Sequence, residues 1–170
     1  MDAIPILALE DVAQIDAVLN DYLDKSEADL AIVLDKGGNI VSQQGERNTA
    51  HLSIIAALAA GSFAATKELA SRIGEPEFSA LYHQGKGSHV FMNGVDENTI
   101  LLTVFSEKTT VGLIRFYSGS CARKLQQVLD RLRTQPQRNT FSLTLSDIQN
   151  AGRMFGGEPA PDPASTSSNS

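Results

Sequence analysis

Apolar residues recur along this chain in two different rhythms, and each change of rhythm marks an element. Val12, Ile15, Leu19 and Tyr22 fall three or four residues apart, with Val18 and Leu23 widening the stripe, and this spacing predicts a helix over 9–25. Residues 29–35 (DLAIVLD) then form a short run rich in Ile, Val and Leu. The stretch 35–39 (DKGGN) supplies a turn whose glycines are free to take positive φ, and 40–44 (IVSQQ) returns as the second strand of a β-hairpin. The most apolar helix follows over 49–73, with Asn48 or Thr49 to cap its start and Gly74 to end it. Strands are expected at 89–95 (HVFMNGV), 99–105 (TILLTVF) and 111–117 (VGLIRFY), joined by short polar connections into an antiparallel meander. A last core helix over 120–133 carries the stripe Ala122, Leu125, Val128, Leu129 and Leu132, and Pro136 prevents its continuation.

Two of these segments constrain the packing. The strand over 99–105 is apolar on both faces, with Ile100, Leu102 and Val104 on one and Leu101 and Phe105 on the other, so it requires layers above and below it. The central helix is apolar nearly all round its first two-thirds: Leu52, Ile54, Ile55, Ala56, Ala57, Leu58, Ala59, Ala60, Phe63, Ala64 and Ala65. A lone domain covers one side of such a helix with its sheet, and a second subunit is the economical cover for the other. The expected architecture is α/β (α+β), in the order α-β-β-α-β-β-β-α. A five-stranded antiparallel sheet has the long helix on one face and the two terminal helices on the other.

Length and composition refine this picture. A chain of 170 residues, 42% hydrophobic, supports a single core. We expect this core domain over 1–135. A polar tether and a short amphipathic helix are expected over 136–156, and a disordered Gly/Pro/Ser-rich tail over 157–170. The formal charge of −6 argues against nucleic acid and against broad attraction to anionic lipid. Arg123, Lys124, Arg131, Arg133 and Arg138 form a local basic cluster, read as the solvated face of a helix. The single cysteine, Cys121, fits a reducing compartment. The start of the chain lacks the basic stretch of a signal peptide, and no apolar run is seen to approach the ~20 residues that span a bilayer. A cytoplasmic protein without membrane insertion is therefore expected.

Catalytic chemistry is hard to find. No G-x-x-x-x-G-K-[ST] occurs; Gly85, Lys86, Gly87 and Ser88 resemble a phosphate loop only superficially and precede a strand. His51, His83 and His89 lack metal-ligand spacing, although His51, on the first turn of the central helix, is placed to touch a partner. Cys121 has no base beside it in sequence and reads as a small residue near a helix start. No cofactor, metal or catalytic residue is expected, and the chain is not read as an enzyme. A ligand sensor would need a roomy pocket between sheet and helix, where the alanine-rich helix instead suggests close packing. Towards the C-terminus, Thr144 to Asp147 form a capping box, and Leu143 can staple onto Ile148. Leu145, Ile148, Ala151 and Phe155 then make a short amphipathic helix that docks on a partner, packs on its own dimer or stays disordered.

The segments IVLDKGGNIVSQQG (32–45), AALAAGSFAATKELASRIGEPEF (56–78) and FMNGVDENTILLTVFSEKTTVGLIRF (91–116) resemble the Roadblock (dynein light chain) family, and in particular its bacterial MglB branch. The resemblance extends over about 9–132 and is most specific in GSFAATKELASRIGEPEF. It implies a homodimer paired through the central helices and a neighbouring strand, whose helix-covered face docks a small Ras-like GTPase of the MglA type. The interface residues it implies are Leu52, Ile55, Ala56, Ala59, Ala60, Phe63, Ala64, Lys67 and Arg72. It further implies activation of GTP hydrolysis without a donated arginine, so that Arg47 and Arg72 are solvated helix-end residues. The C-terminal helix would contact the GTPase separately and promote nucleotide exchange. Family roles in polarity and motility imply recruitment to a cell pole. A scaffold that gathers the GTPase with other proteins without affecting turnover is the alternative.

Overall fold

A computed structural model describes residues 9–46 and 50–134. Helix α1 (Leu9–Ser26) leads into a hairpin of β1 (Leu30–Asp35) and β2 (Ile40–Gly45), followed by the long helix α2 (Leu52–Arg72). Strands β3 (Ala80–His83), β4 (His89–Gly94) and β5 (Thr99–Phe105) precede the last helix, α3 (Val111–Thr134). The five strands form one sheet in the order β2-β1-β5-β4-β3, antiparallel throughout. The central strand β5 sets Leu102 opposite Ile32 on one side and opposite Met92 on the other.

The alternation of side chains sorts the core into two layers. Leu30, Ile32, Leu34, Met92, Ile100, Leu102 and Val104 pack beneath α2 with Ala59, Ala60 and Phe63. On the other face, Ala31, Val33 and Leu101 meet Ile15, Leu19 and Tyr22 of α1 and Leu125, Val128 and Leu129 of α3. Every residue of β5 is buried, as its two apolar faces require. Tyr22 reaches from α1 to the sheet, where its hydroxyl and Thr103 Oγ1 lie 2.9 Å apart in a buried hydrogen bond. Burial holds the Tyr22 phenol well above its ordinary range, and the same apolar layer pushes the Cys121 thiol up to about 12. On the surface of this layer Asp21 bridges Lys124 and Lys25, which hold its carboxylate below its usual range and raise Lys25 in return.

The glycines of the hairpin turn are required by geometry. Gly38 has φ +85°, and a Cβ there would lie 2.7 Å from the Ala57 Cα, so both the backbone sign and the approach of α2 exclude a side chain. Asp35 closes the same turn by accepting hydrogen bonds from the Asn39 backbone N–H and side-chain amide, both at 2.8 Å. Gly74, at φ +79°, ends α2 as expected, and the N–H of Glu75 returns to the Ala70 carbonyl. At the other end of α2 the cap position is His51, with no side-chain cap bond; the expected caps Asn48 and Thr49 lie outside the described residues.

One expected strand is a helix. Residues 111–117 form the first turns of α3, not the fifth strand of the sheet. Their composition, rich in Val, Ile, Leu, Phe and Tyr, suits a strand, but the buried positions run Ile114, Ser118, Cys121, Ala122, Leu125, which is the helical period continued into the segment read from 120 onward. Thr110 starts this helix, its Oγ1 accepting from the Leu113 N–H at 3.3 Å and its carbonyl from Ile114 at 3.0 Å. The fifth place in the sheet goes to β3, a short edge strand that alternation does not reveal because none of its residues is fully buried. The element order is as expected, while the meander runs from β3 to β5.

Candidate docking surface on the central helix

Helix α2 has two faces of different character. Ala56, Ala59, Ala60, Phe63 and Ala70 are buried against the sheet. On the opposite side Ile54 is 57% exposed, Leu58 67% and Leu69 56%, and Ile73 just beyond the helix is 61% exposed. At 100° per residue Ile54, Leu58, Gly61, Ala65, Leu69 and Arg72 form one outward stripe. Small residues sit at its centre and large apolar ones toward its ends. A Cβ added at Gly61 would meet nothing within 4 Å, so this point is open for another backbone to approach.

The residues expected at an interface divide between these faces. Ala56, Ala59, Ala60 and Phe63 point into the chain's own core, and Leu52 is half-buried beside them. Ile55 is 38% exposed at the flank, and Ala64 is exposed on the other flank. Lys67 is half-buried and pairs with Glu77 at 2.9 Å; Arg72 is exposed and pairs with Glu68 at 2.7 Å. Ile54, Leu58, Gly61 and Leu69 are the outward residues that the expected set lacked. Arg47 and the C-terminal residues Leu145, Ile148, Ala151 and Phe155 lie outside the described residues.

By length and composition α2, taken as Leu52–Ile73, is long and apolar enough to cross a membrane, which corrects the expectation that no run approaches that length. Its many alanines raise the average of this segment although each buries little surface. Its inner stripe is fully engaged with the sheet, so its apolar excess is confined to the outward stripe. Under the helix, Leu81 of β3 joins the cluster on the inner face of α2, and β3 pairs only with β4 among the described residues. The described residues therefore carry both an open sheet edge and an outward apolar helix face.

The other candidate chemistry is placed away from α2's outward face. His83 is exposed on β3, and the loop containing Gly85 to Ser88 simply joins β3 to β4. His89 packs flat on Phe105 with ring centres 5.1 Å apart, and its Nδ1 lies 3.1 Å from the Tyr82 hydroxyl. Two open clefts border α3, one against α1 and one against β4; neither lies between α2 and the sheet, where a ligand sensor would hold its ligand.

Comparison with known proteins places this geometry. The model of the Roadblock/LC7 domain family matches residues 14–105. MglB from Myxococcus xanthus is similar in structure with a TM-score of 0.70 and 26% identity, over 78% of this chain and 98% of that one. The gliding protein MglB from Thermus thermophilus gives the same TM-score at 24% identity, over 74% of this chain and 96% of that one. In sequence, an uncharacterized protein of Aquifex aeolicus is 27% identical over 122 residues, 70% of this chain and 75% of the relative.

Proposed function

The chain belongs to the Roadblock/LC7 domain family, and on that premise we propose that it is a homodimeric regulator of a small Ras-like GTPase of the MglA type, accelerating GTP hydrolysis in the control of cell polarity or motility. The observation that carries this reading is the outward apolar stripe of α2, exposed at Ile54, Leu58 and Leu69. Fully burying one such Ile or Leu is worth roughly 1.5–3 kcal/mol, a gain that a monomer leaves unused. Pairing of two α2 helices across Gly61 and Ala65, with β3 meeting its symmetry mate, would cover part of this surface. The dimer then presents a helical platform to the GTPase.

Such a regulator needs a shaped surface and no reactive group. GTP hydrolysis is limited by placement of the attacking water and by stabilisation of charge on the transferred phosphoryl group. A platform that binds the hydrolysis-competent form of the GTPase more tightly shifts it toward that form. Arg72 lies on the outward stripe with its guanidinium engaged by Glu68, which suits activation by remodelling the partner and not by a donated arginine. The C-terminal segment around Ile148 and Phe155 is proposed to contact the GTPase separately and aid nucleotide exchange. We place the protein in the cytoplasm, recruited to a cell pole.

The test is single-turnover hydrolysis by an MglA-like GTPase with and without the full-length chain. Hydrolysis should quicken, the GTP-bound form should bind more tightly than the GDP-bound form, and Leu58→Asp should abolish both effects. Binding with unchanged turnover would reject activation and leave a scaffold. Absence of binding in either nucleotide state would reject both. Combined Ile148→Asp and Phe155→Asp substitutions should slow exchange while sparing hydrolysis.

A further inference from the structure

We propose that the groove between α3 and β4, on the side of the sheet away from α2, is a second docking site that takes an acidic segment of a partner protein in extended conformation. The groove encloses about 350 Å³ and shares no residue with the outward stripe of α2. Arg115 and Arg123 line it, eight residues apart on α3 and so ~12 Å apart along the helix axis. Both are exposed, and neither has an ion-pair partner among the described residues. Two neighbours on the same helix differ: Lys124 pairs with Asp21, and Arg133 with Asp96. In a chain of net charge −6, two uncompensated guanidinium groups facing one groove form a local positive site. Arg115 is steadied from below, its guanidinium lying 6.0 Å from the centre of the Phe91 ring.

The lining of the groove selects the ligand class. Asn93, on β4, is only 8% exposed, yet it lines the groove and its Oδ1 has no hydrogen-bond partner among the described residues. A buried carbonyl oxygen left without a donor is unfavourable, and a turn of the Asn93 side chain toward the groove it lines relieves it when a ligand there brings an N–H. Phosphodiesters and anionic lipid headgroups such as phosphatidylglycerol satisfy arginines but bring no N–H. A peptide brings main-chain N–H groups together with carboxylate side chains, and matches both requirements at once. An extended chain rises ~3.3 Å per residue, so ~12 Å corresponds to acidic residues about four apart, which also point to the same side.

Fluorescence polarisation with the full-length chain tests this. The probes are short fluorescein-labelled peptides with two glutamates spaced four residues apart, their glutamine counterparts, and vesicles of phosphatidylglycerol in phosphatidylcholine. The glutamate peptides should bind, more weakly as salt rises, and Arg115→Glu or Arg123→Glu should each weaken them about tenfold while leaving GTPase binding and the circular dichroism spectrum unchanged. Asn93→Leu should weaken the same peptides without altering the salt dependence. The proposal is overturned if no glutamate peptide binds, if the glutamine peptides bind equally well, or if both charge reversals leave binding intact. It is equally overturned if the vesicles bind in an Arg115- and Arg123-dependent way and the peptides do not.

Discussion

The two sides of the sheet are both built on apolar residues but are unequally covered. On one side α1 and α3 pack against each other as well as on the strands, and their outer surface is bound together by charged pairs such as Asp21 with Lys25 and Lys124. On the other side α2 lies alone among the described residues, its inner stripe packed on the sheet and its outer stripe carrying Ile54, Leu58 and Leu69. Two helices side by side shield one another's flanks, and a single helix has no neighbour to do so. The difference teaches that the fold is complete on the α1/α3 side and one layer short on the α2 side, so the proposed self-association and GTPase docking belong to the latter. The α1/α3 side is not inert, since Phe116 stands 72% exposed there in the cleft between the two helices, but many of its outward residues are charged.

Substitutions on the two faces of α2 should separate sharply. Phe63→Ala, on the inner face, should cost roughly 3–5 kcal/mol in urea denaturation, because the buried ring leaves a cavity beneath the helix; a loss under about 1 kcal/mol would show that the inner stripe is not core. Leu58→Asp, on the outer face, should preserve the circular dichroism spectrum while abolishing the rise of thermal midpoint with protein concentration that a dimer shows. If the midpoint of the wild-type protein is already independent of concentration, the contrast between the faces fails.

The covered side should reveal itself through pH. Burial raises the Cys121 thiol to about 12 from an ordinary value of 9.0, so the folded state keeps a proton that the unfolded state loses first. Its contribution is therefore fully present below about pH 9 and is lost as pH rises toward 12, with a slope of at most about 1.4 kcal/mol per pH unit. Denaturation curves across this range should flatten in Cys121→Ala; an unchanged slope would mean the thiol is not desolvated. The smallest effect expected is that of Tyr22→Phe, about 1 kcal/mol, from loss of the hydrogen bond to Thr103. Equal stability of the two proteins would show that bond to be without net value.

Much of this fold is legible in the sequence because each element carries one clear period. The stripe from Val12 to Tyr22, the DKGGN turn and the two-faced strand ending at Phe105 each admit one reading. Residues 111–117 mislead because β-branched and aromatic residues occupy the start of a helix, and only the stripe running from Ile114 through Leu125 resolves them. The strand Ala80–His83 escapes notice because an edge strand is half-covered and need not alternate strongly. The candidate docking surface is legible in the sequence as an apolar helix but not in its phase. A helix apolar on every side has no preferred direction, so sequence cannot tell Ala59 or Phe63, which face inward, from Leu58 or Leu69, which face out. The register of the sheet supplies that phase. The groove by Asn93 depends on residues distant in sequence and on Arg115 and Arg123 having no ion-pair partner among the described residues, neither of which spacing reveals.

Sedimentation equilibrium of the full-length chain at micromolar concentration measures the central claim most directly. A particle of twice the 18.2 kDa chain mass, or a larger even multiple, is expected, because the outward stripe of α2 then has its cover. A single species at the monomer mass that persists as concentration is raised would contradict the account.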